Sequence, residues 1–325
     1  MKTFIMYFIF LFAFAPLTAQ QKREIFFADP TIYVSGGKYY LTGTSGDRGV
    51  RGFSILTSTD LKTWSVPPEA GDTIHAILSR GEHAYGDSGF WAPQLFRTEK
   101  QHYLAYTANE QTALAQSTSL LGPYTQELVR PIDPTAKNID PFIFRDDDGK
   151  YYMYHVRFDH GNYLWVAEFD LGNGKIKPGT LTKCFGASEP WETTPDYPSD
   201  PIMEGPTVLK LDGKYYLFYS ANHYQSKDYA VGYAVSHSPY GPWEKQKNSP
   251  IIHRSVVSEN GSGHGDLFTG LDGQLYYVYH VHFSSERANP RRTRIVPVKK
   301  QWDEKAQVYR FNADGDHVIV PLQVP

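Results

Sequence analysis

A chain of 325 residues with a formal charge of -3 is long enough to bury a large core and carries no charge bias toward nucleic acid or an anionic membrane surface. Its single cysteine, Cys184, excludes an intramolecular disulfide and is read as structural. Aromatic residues reach 15%, led by 24 Tyr and 19 Phe, a load that suits β-sheet cores and also the walls of sugar pockets.

Met1 to Gln20 stands apart. Lys2 precedes an apolar run from Phe4 to Ala15, followed by Pro16-Leu17-Thr18-Ala19 and polar Gln20 to Arg23. That order predicts a secretory signal peptide over residues 1–19, cleaved near Ala19, and a secreted or periplasmic product. The run falls short of the about 18 to 20 apolar residues of a membrane span, so no membrane insertion is expected after cleavage. Residues 20–325 are expected to form one domain.

Gln20 to Phe27 is a lead-in expected to close a sheet. Five units follow, each an opening element, a short apolar strand, a tight turn and a strand rich in aromatics. Unit one runs from Ala28-Asp29-Pro30 to Gly37-Lys38-Tyr39-Tyr40-Leu41. Unit two runs from Trp91-Ala92-Pro93 to Gln101-His102-Tyr103-Leu104. Unit three opens at Ile139-Asp140-Pro141, turns at Asp148-Gly149 and continues into Tyr151-Tyr152-Met153-Tyr154-His155. Unit four opens at Glu204-Gly205-Pro206, turns at Asp212-Gly213 and continues into Tyr215-Tyr216-Leu217. Unit five opens at Gly263-His264-Gly265-Asp266, turns at Asp272-Gly273 and continues into Leu275-Tyr276-Tyr277. Unit starts lie about 50 to 65 residues apart, with Gly/Asp turns between alternating β-formers and no amphipathic helix of three turns. The pattern predicts an all-β, five-bladed β-propeller rather than a sandwich, which would not repeat one motif five times.

In a propeller the first strand of each blade lines the axis, so the residues opening those strands converge. Asp29, Asp140 and Glu204 open units one, three and four, and are read as occupying one register point. Asp-Pro alone is a common turn or strand start; Glu-Gly-Pro is not, and three acids across a repeat point to chemistry. One ionised carboxylate could activate water while a second, its pKa raised by its neighbours, protonates a leaving glycosidic oxygen.

These motifs resemble those of glycoside hydrolase family 43, over nearly the whole chain past the leader. The resemblance implies Asp29 as general base, Glu204 as general acid, and Asp140 as the residue that tunes the acid and orients substrate. It also implies a calcium ion in the channel, held by His264 directly or through water, and no organic cofactor. Calcium prefers oxygen ligands, and Asp266 replaces the small polar residue expected beside this histidine. Trp91 is a candidate sugar platform, or core filling. Arg291 is the candidate channel arginine, with Arg292 and Arg294 on the opposite strand face. Glu189-Pro190-Trp191-Glu192 is read as loop decoration, and Asp146-Asp147-Asp148-Gly149 as a β-turn.

The resemblance implies a secreted, inverting, exo-acting hydrolase that takes pentose residues from plant oligo- or polysaccharide. α-L-arabinofuranosidase is favoured, with β-D-xylosidase and endo-arabinanase as alternatives. The reading from another class is a non-catalytic carbohydrate-binding propeller.

Overall fold

The computed structural model describes residues 22–45, 51–70, 74–196 and 199–325. The leader over residues 1–19 and its cleavage site lie outside them.

Five antiparallel sheets follow one another along the chain. Their inner strands are Phe27–Ser35, Trp91–Arg97, Asn138–Arg145, Met203–Leu211 and Gly263–Thr269. Each pairs with a second strand: Lys38–Ser45, His102–Ala108, Tyr151–Phe158, Lys214–Ala221 and Leu275–Val281. Every inner strand packs against those of its two neighbours, and the first meets the fifth, so the sheets form a closed ring of five blades. The fold is the five-bladed β-propeller that the repeat predicts.

Apolar alternation explains the packing. Both faces of a blade are covered by neighbours, and each of five apolar clusters sits between two adjacent blades. Most of the tyrosines expected to fill sheets do so. Tyr106, Tyr154, Tyr219 and Tyr233 are completely buried. Each places its hydroxyl on an acceptor: Tyr85 O at 3.0 Å, Pro239 O at 2.7 Å, Glu192 Oε1 at 2.7 Å and Asn248 Oδ1 at 2.8 Å. A buried phenol left unpaired would cost stability, which is why the partners matter.

The lead-in closes a sheet as expected. Arg23–Glu24 pairs with Leu322–Gln323, which pairs in parallel with Thr63–Trp64 at the outer edge of blade one. The segment read as loop decoration is instead structural. Pro190–Glu192 forms a short 3-10 turn whose Glu192, completely buried, pairs with Lys245 Nζ at 2.5 Å, while Trp191 stacks on Tyr219. Asp146 closes the expected turn and accepts from Lys210 and Tyr215 of the next blade.

Candidate active site

All five inner strands break in the same way. The register shifts by one extra residue between Ala28 and Thr31, Trp91 and Gln94, Ile139 and Phe142, Glu204 and Thr207, and Gly263 and Gly265. At each break one residue turns left-handed: Asp29 (φ 46°), Ala92 (44°), Asp140 (55°), Gly205 (60°) and His264 (43°). Such bulges re-aim side chains and recur beside active sites. Four of the five precede proline, whose ring restricts the residue before it, while His264 precedes Gly265 and lacks that restraint.

This corrects the reading that put three acids at one register point. Asp29 and Asp140 share the left-handed position, but Glu204 lies one residue earlier, at the position held by Ala28, Trp91, Ile139 and Gly263. Gly205 takes the left-handed site in blade four. A Cβ there would come within 2.8 Å of the His264 ring, so glycine is what lets that imidazole close in.

What holds four of the bulges is a side chain from the second strand of the preceding blade. Ala92 N–H donates to Thr44 Oγ1 at 3.0 Å, Asp140 N–H to Thr107 Oγ1 at 2.9 Å and His264 N–H to Ser220 Oγ at 2.8 Å. Asp29 N–H donates to His280 Nδ1 at 3.2 Å, across the seam between blades five and one. In blade three the matching residue is Val156, which cannot accept. There Gly205 N–H donates instead to the Asp140 carboxylate, at 3.1 Å to Oδ2. Thr44, Thr107, Ser220 and His280 were not found by sequence reasoning. The signal was there: each stands five residues past the same position of its second strand, Tyr39, His102, Tyr215 and Leu275.

The side chains meet on the axis. Asp29 Oδ1 accepts from Arg291 Nη1 at 2.8 Å and lies 3.4 Å from His264 Nδ1; Oδ2 accepts from Thr44 at 2.6 Å. His264 Nε2 lies 3.8 Å from Asp140 Oδ2. Glu204 Oε1 accepts from Tyr229 Oη at 2.6 Å. Arg291 also lays its guanidinium 4.6 Å from the centre of the Tyr224 ring. Arg292 and Arg294 turn the other way, to Glu259 and Glu24, as strand alternation requires. Trp91 shares the bulge position of Glu204 and is 38% exposed, so it is not core filling. Asp266 accepts from Thr31 at 2.6 Å and Thr207 at 3.0 Å, and with Asp29, Asp140 and His264 it lines a small axial cavity of about 30 Å³.

The charges sort the acids. Burial would raise the pKa of Asp29, but the Arg291 guanidinium and the His264 imidazolium outweigh it and hold the carboxyl well below the usual range. Burial, with the adjacent charge of Asp140, pushes Glu204 up to about 7. Asp140 is also raised, chiefly by burial. His264 is buried too, yet the three carboxylates raise its pKa and favour the imidazolium. His280 is pushed down to about 3 by burial and Arg291, so it is neutral and can accept from the Asp29 backbone.

A calcium ion at His264 fits this arrangement poorly. Both ring nitrogens face carboxylates, and among the described residues no group of three His, Cys, Asp or Glu side chains is spaced to hold a metal. The donor set is that of an ion-pair bridge between Asp29 and Asp140.

A propeller whose axis gathers one carboxyl held ionised and a second held protonated near neutrality has the equipment of a glycoside hydrolase. The family model for glycosyl hydrolases family 43 matches residues 23–306, and the chain belongs to that family, in which inversion at the anomeric carbon is characteristic. The chain is 37% identical to a solved structure described as an endo-1,4-β-xylanase from Bacteroides thetaiotaomicron, with a TM-score of 0.84, over 94% of this chain and 100% of that one. It is 27% identical to a β-D-galactofuranosidase of Aspergillus niger, over 88% of this chain and 82% of that protein. Against a putative β-xylosidase of Escherichia coli the identity is 29% over 77% of this chain, which spans 47% of that relative's length.

Proposed function

We propose that this chain is a secreted, exo-acting α-L-arabinofuranosidase that releases pentose units from plant oligo- or polysaccharide with inversion. The observation that carries the acid–base chemistry is the opposite tuning of two carboxyls on one axis, Asp29 below its ordinary range and Glu204 raised to about 7. Asp29 acts as general base. Its ionised oxygens take a proton from water, while Arg291 and Thr44 hold the carboxylate in place. Glu204 acts as general acid and gives its proton to the leaving oxygen. Asp140 keeps that proton on Glu204 by its adjacent charge and is oriented by the Gly205 N–H. The His264 imidazolium, between Asp29 and Asp140, keeps two buried carboxylates from repelling one another. Trp91 and Arg291 are assigned to sugar contact, Trp91 because it is exposed at the bulge of blade two, the position Glu204 holds in blade four.

The furanoside preference is supported by the Aspergillus relative described as a β-D-galactofuranosidase. The furanose ring of that sugar has the configuration of an α-L-arabinofuranoside. A β-xyloside is the second reading, favoured by the relatives described as a β-xylosidase and an endo-xylanase. Secretion rests on the order of charged, apolar and small residues over 1–19.

The test is a parallel assay of aryl α-L-arabinofuranoside, β-D-galactofuranoside and β-D-xyloside, with the first-formed anomer followed by NMR. The arabinofuranoside is expected to be the best substrate, with an inverted product; preference for the xyloside would overturn the sugar assignment. Glu204→Gln is expected to lower kcat by about 10²–10⁴-fold on a substrate with a poor leaving group. Sugar binding with no turnover by the parent protein would instead leave a carbohydrate-binding propeller.

A further inference from the structure

The phenol of Tyr229 makes the hydrogen bond to Glu204 Oε1, at 2.6 Å. It lies just before the third strand of blade four, Ala230–Ser236, and is completely buried. Its ring is gripped from two sides. It stacks on His280, with centroids 5.6 Å apart and planes 13° from parallel. On another side it lies against Gly263, where a Cβ would come within 2.5 Å of the ring. Both neighbours belong to blade five, so a blade-four hydroxyl is aimed by contacts across the interface.

We infer that Tyr229 is a positioning residue that fixes which oxygen of Glu204 carries the catalytic proton. Burial and the neighbouring carboxylates keep the phenol protonated, and Glu204 Oε1 is the acceptor its buried O–H reaches among the described residues, so it donates there. A donor on Oε1 makes that oxygen the carbonyl of the neutral acid. The acidic proton therefore sits on Oε2. When Glu204 delivers it, the Oε2–H bond breaks, a bond to the leaving oxygen forms, and the new carboxylate keeps the Tyr229 hydrogen bond on Oε1. That bond is stronger to the carboxylate than to the acid, so Tyr229 favours the ionised form and sharpens the acid during transfer. The stack on His280, whose Nδ1 accepts from the Asp29 backbone, ties the aim of the acid to the seat of the base.

The inference rests on the assignment of Glu204 as general acid, and the experiment separates the two. Tyr229→Phe keeps the ring and removes only the hydroxyl. Its kcat is expected to fall about tenfold on an alkyl or unactivated aryl glycoside, the size of one charge-assisted hydrogen bond, and hardly at all on a dinitrophenyl glycoside, whose leaving group needs no proton. The alkaline limb of kcat/KM should move to higher pH, because the carboxylate loses a donor. The other charged groups facing Glu204, namely Asp140, His264 and Asp29, are unchanged in the variant.

Equal losses on both substrates with an unmoved alkaline limb would reduce Tyr229 to packing and overturn the inference. If Glu204→Gln itself shows no dependence on the leaving group, the acid assignment fails first. Should Tyr229→Phe not fold, 3-fluorotyrosine placed at position 229 provides the reverse test. Its more acidic phenol is a stronger donor, and the alkaline limb should move to lower pH; an unmoved limb would again count against the inference.

Discussion

Burial alone would push Asp29, Asp140 and Glu204 toward neutrality, since each loses the water that stabilises a carboxylate. Only Asp29 has a guanidinium in direct contact, at 2.8 Å, and it alone is driven downward. Activity should therefore follow a bell. Its acidic limb marks Asp29 taking up a proton and lies below the usual carboxylate range. Its alkaline limb marks Glu204 losing its proton, near pH 7. The same shifts set stability, with the sign opposite for the two groups. The depressed Asp29 contributes stability above its unfolded pKa, and that contribution disappears as pH falls through its folded value. The raised Glu204 favours the folded state least once pH exceeds about 7, where a half-buried carboxylate must be held charged. Glu204→Gln is thus expected to melt higher than the parent at pH 8 while losing turnover. A melting temperature below the parent's at that pH would show that the carboxylate stabilises the fold.

At the level of elements, the site is a property of five bulges and the bonds that pin them. Val156 is the exception in the ring of second-strand acceptors, and the Asp140 carboxylate fills its place. Val156→Thr supplies the missing hydroxyl. If it captures the Gly205 N–H, Asp140 loses a hydrogen bond that favours its charge, and its negative charge weakens. Glu204 is then less strongly raised, so the alkaline limb of kcat/KM should move to lower pH, with kcat reduced. A lower melting temperature with an unmoved limb would mean that the hydroxyl is buried unpaired and never reaches the backbone. The sequence made much of this architecture readable. The Tyr-rich second strands and their Gly turns repeat with visible spacing, and Asp29 and Asp140 announce the inner strands. The offset of Glu204 was not readable, because a bulge adds one residue of backbone without any mark in composition; Gly205 reads as a turn glycine until the His264 ring is found against it. Tyr229 was hidden for another reason. Nothing separates it from the other tyrosines of the sheets except where its hydroxyl ends.

For the whole molecule, the question is how a ring built from consecutive blades stays closed, since the first and last are joined by no local turn. The apolar cluster between blades five and one, with Ile25, Phe27, Val278 and Ile295, supplies much of the seam. Beside it lies a charged clamp. Arg294, 2% exposed, donates to both oxygens of Glu259, at 2.7 and 2.9 Å, and to Glu24 of the lead-in strand at 3.2 Å. Arg292 adds a third bond to Glu259 at 2.9 Å. These arginines open the strand that follows Arg291, so the clamp also fixes the residue that keeps Asp29 ionised. Glu259→Gln leaves Arg294 buried with half its anionic partners removed. Unpairing a buried ion costs about 3 kcal/mol or more, whereas an exposed, solvent-screened pair such as Lys150 and Asp148 contributes little. Urea unfolding of Glu259→Gln beside Asp148→Asn measures the difference directly. The clamp variant should unfold at clearly lower urea and, because Arg291 loosens with its strand, the acidic limb of its activity should shift to higher pH. Equal unfolding midpoints would assign closure of the ring to the apolar seam alone.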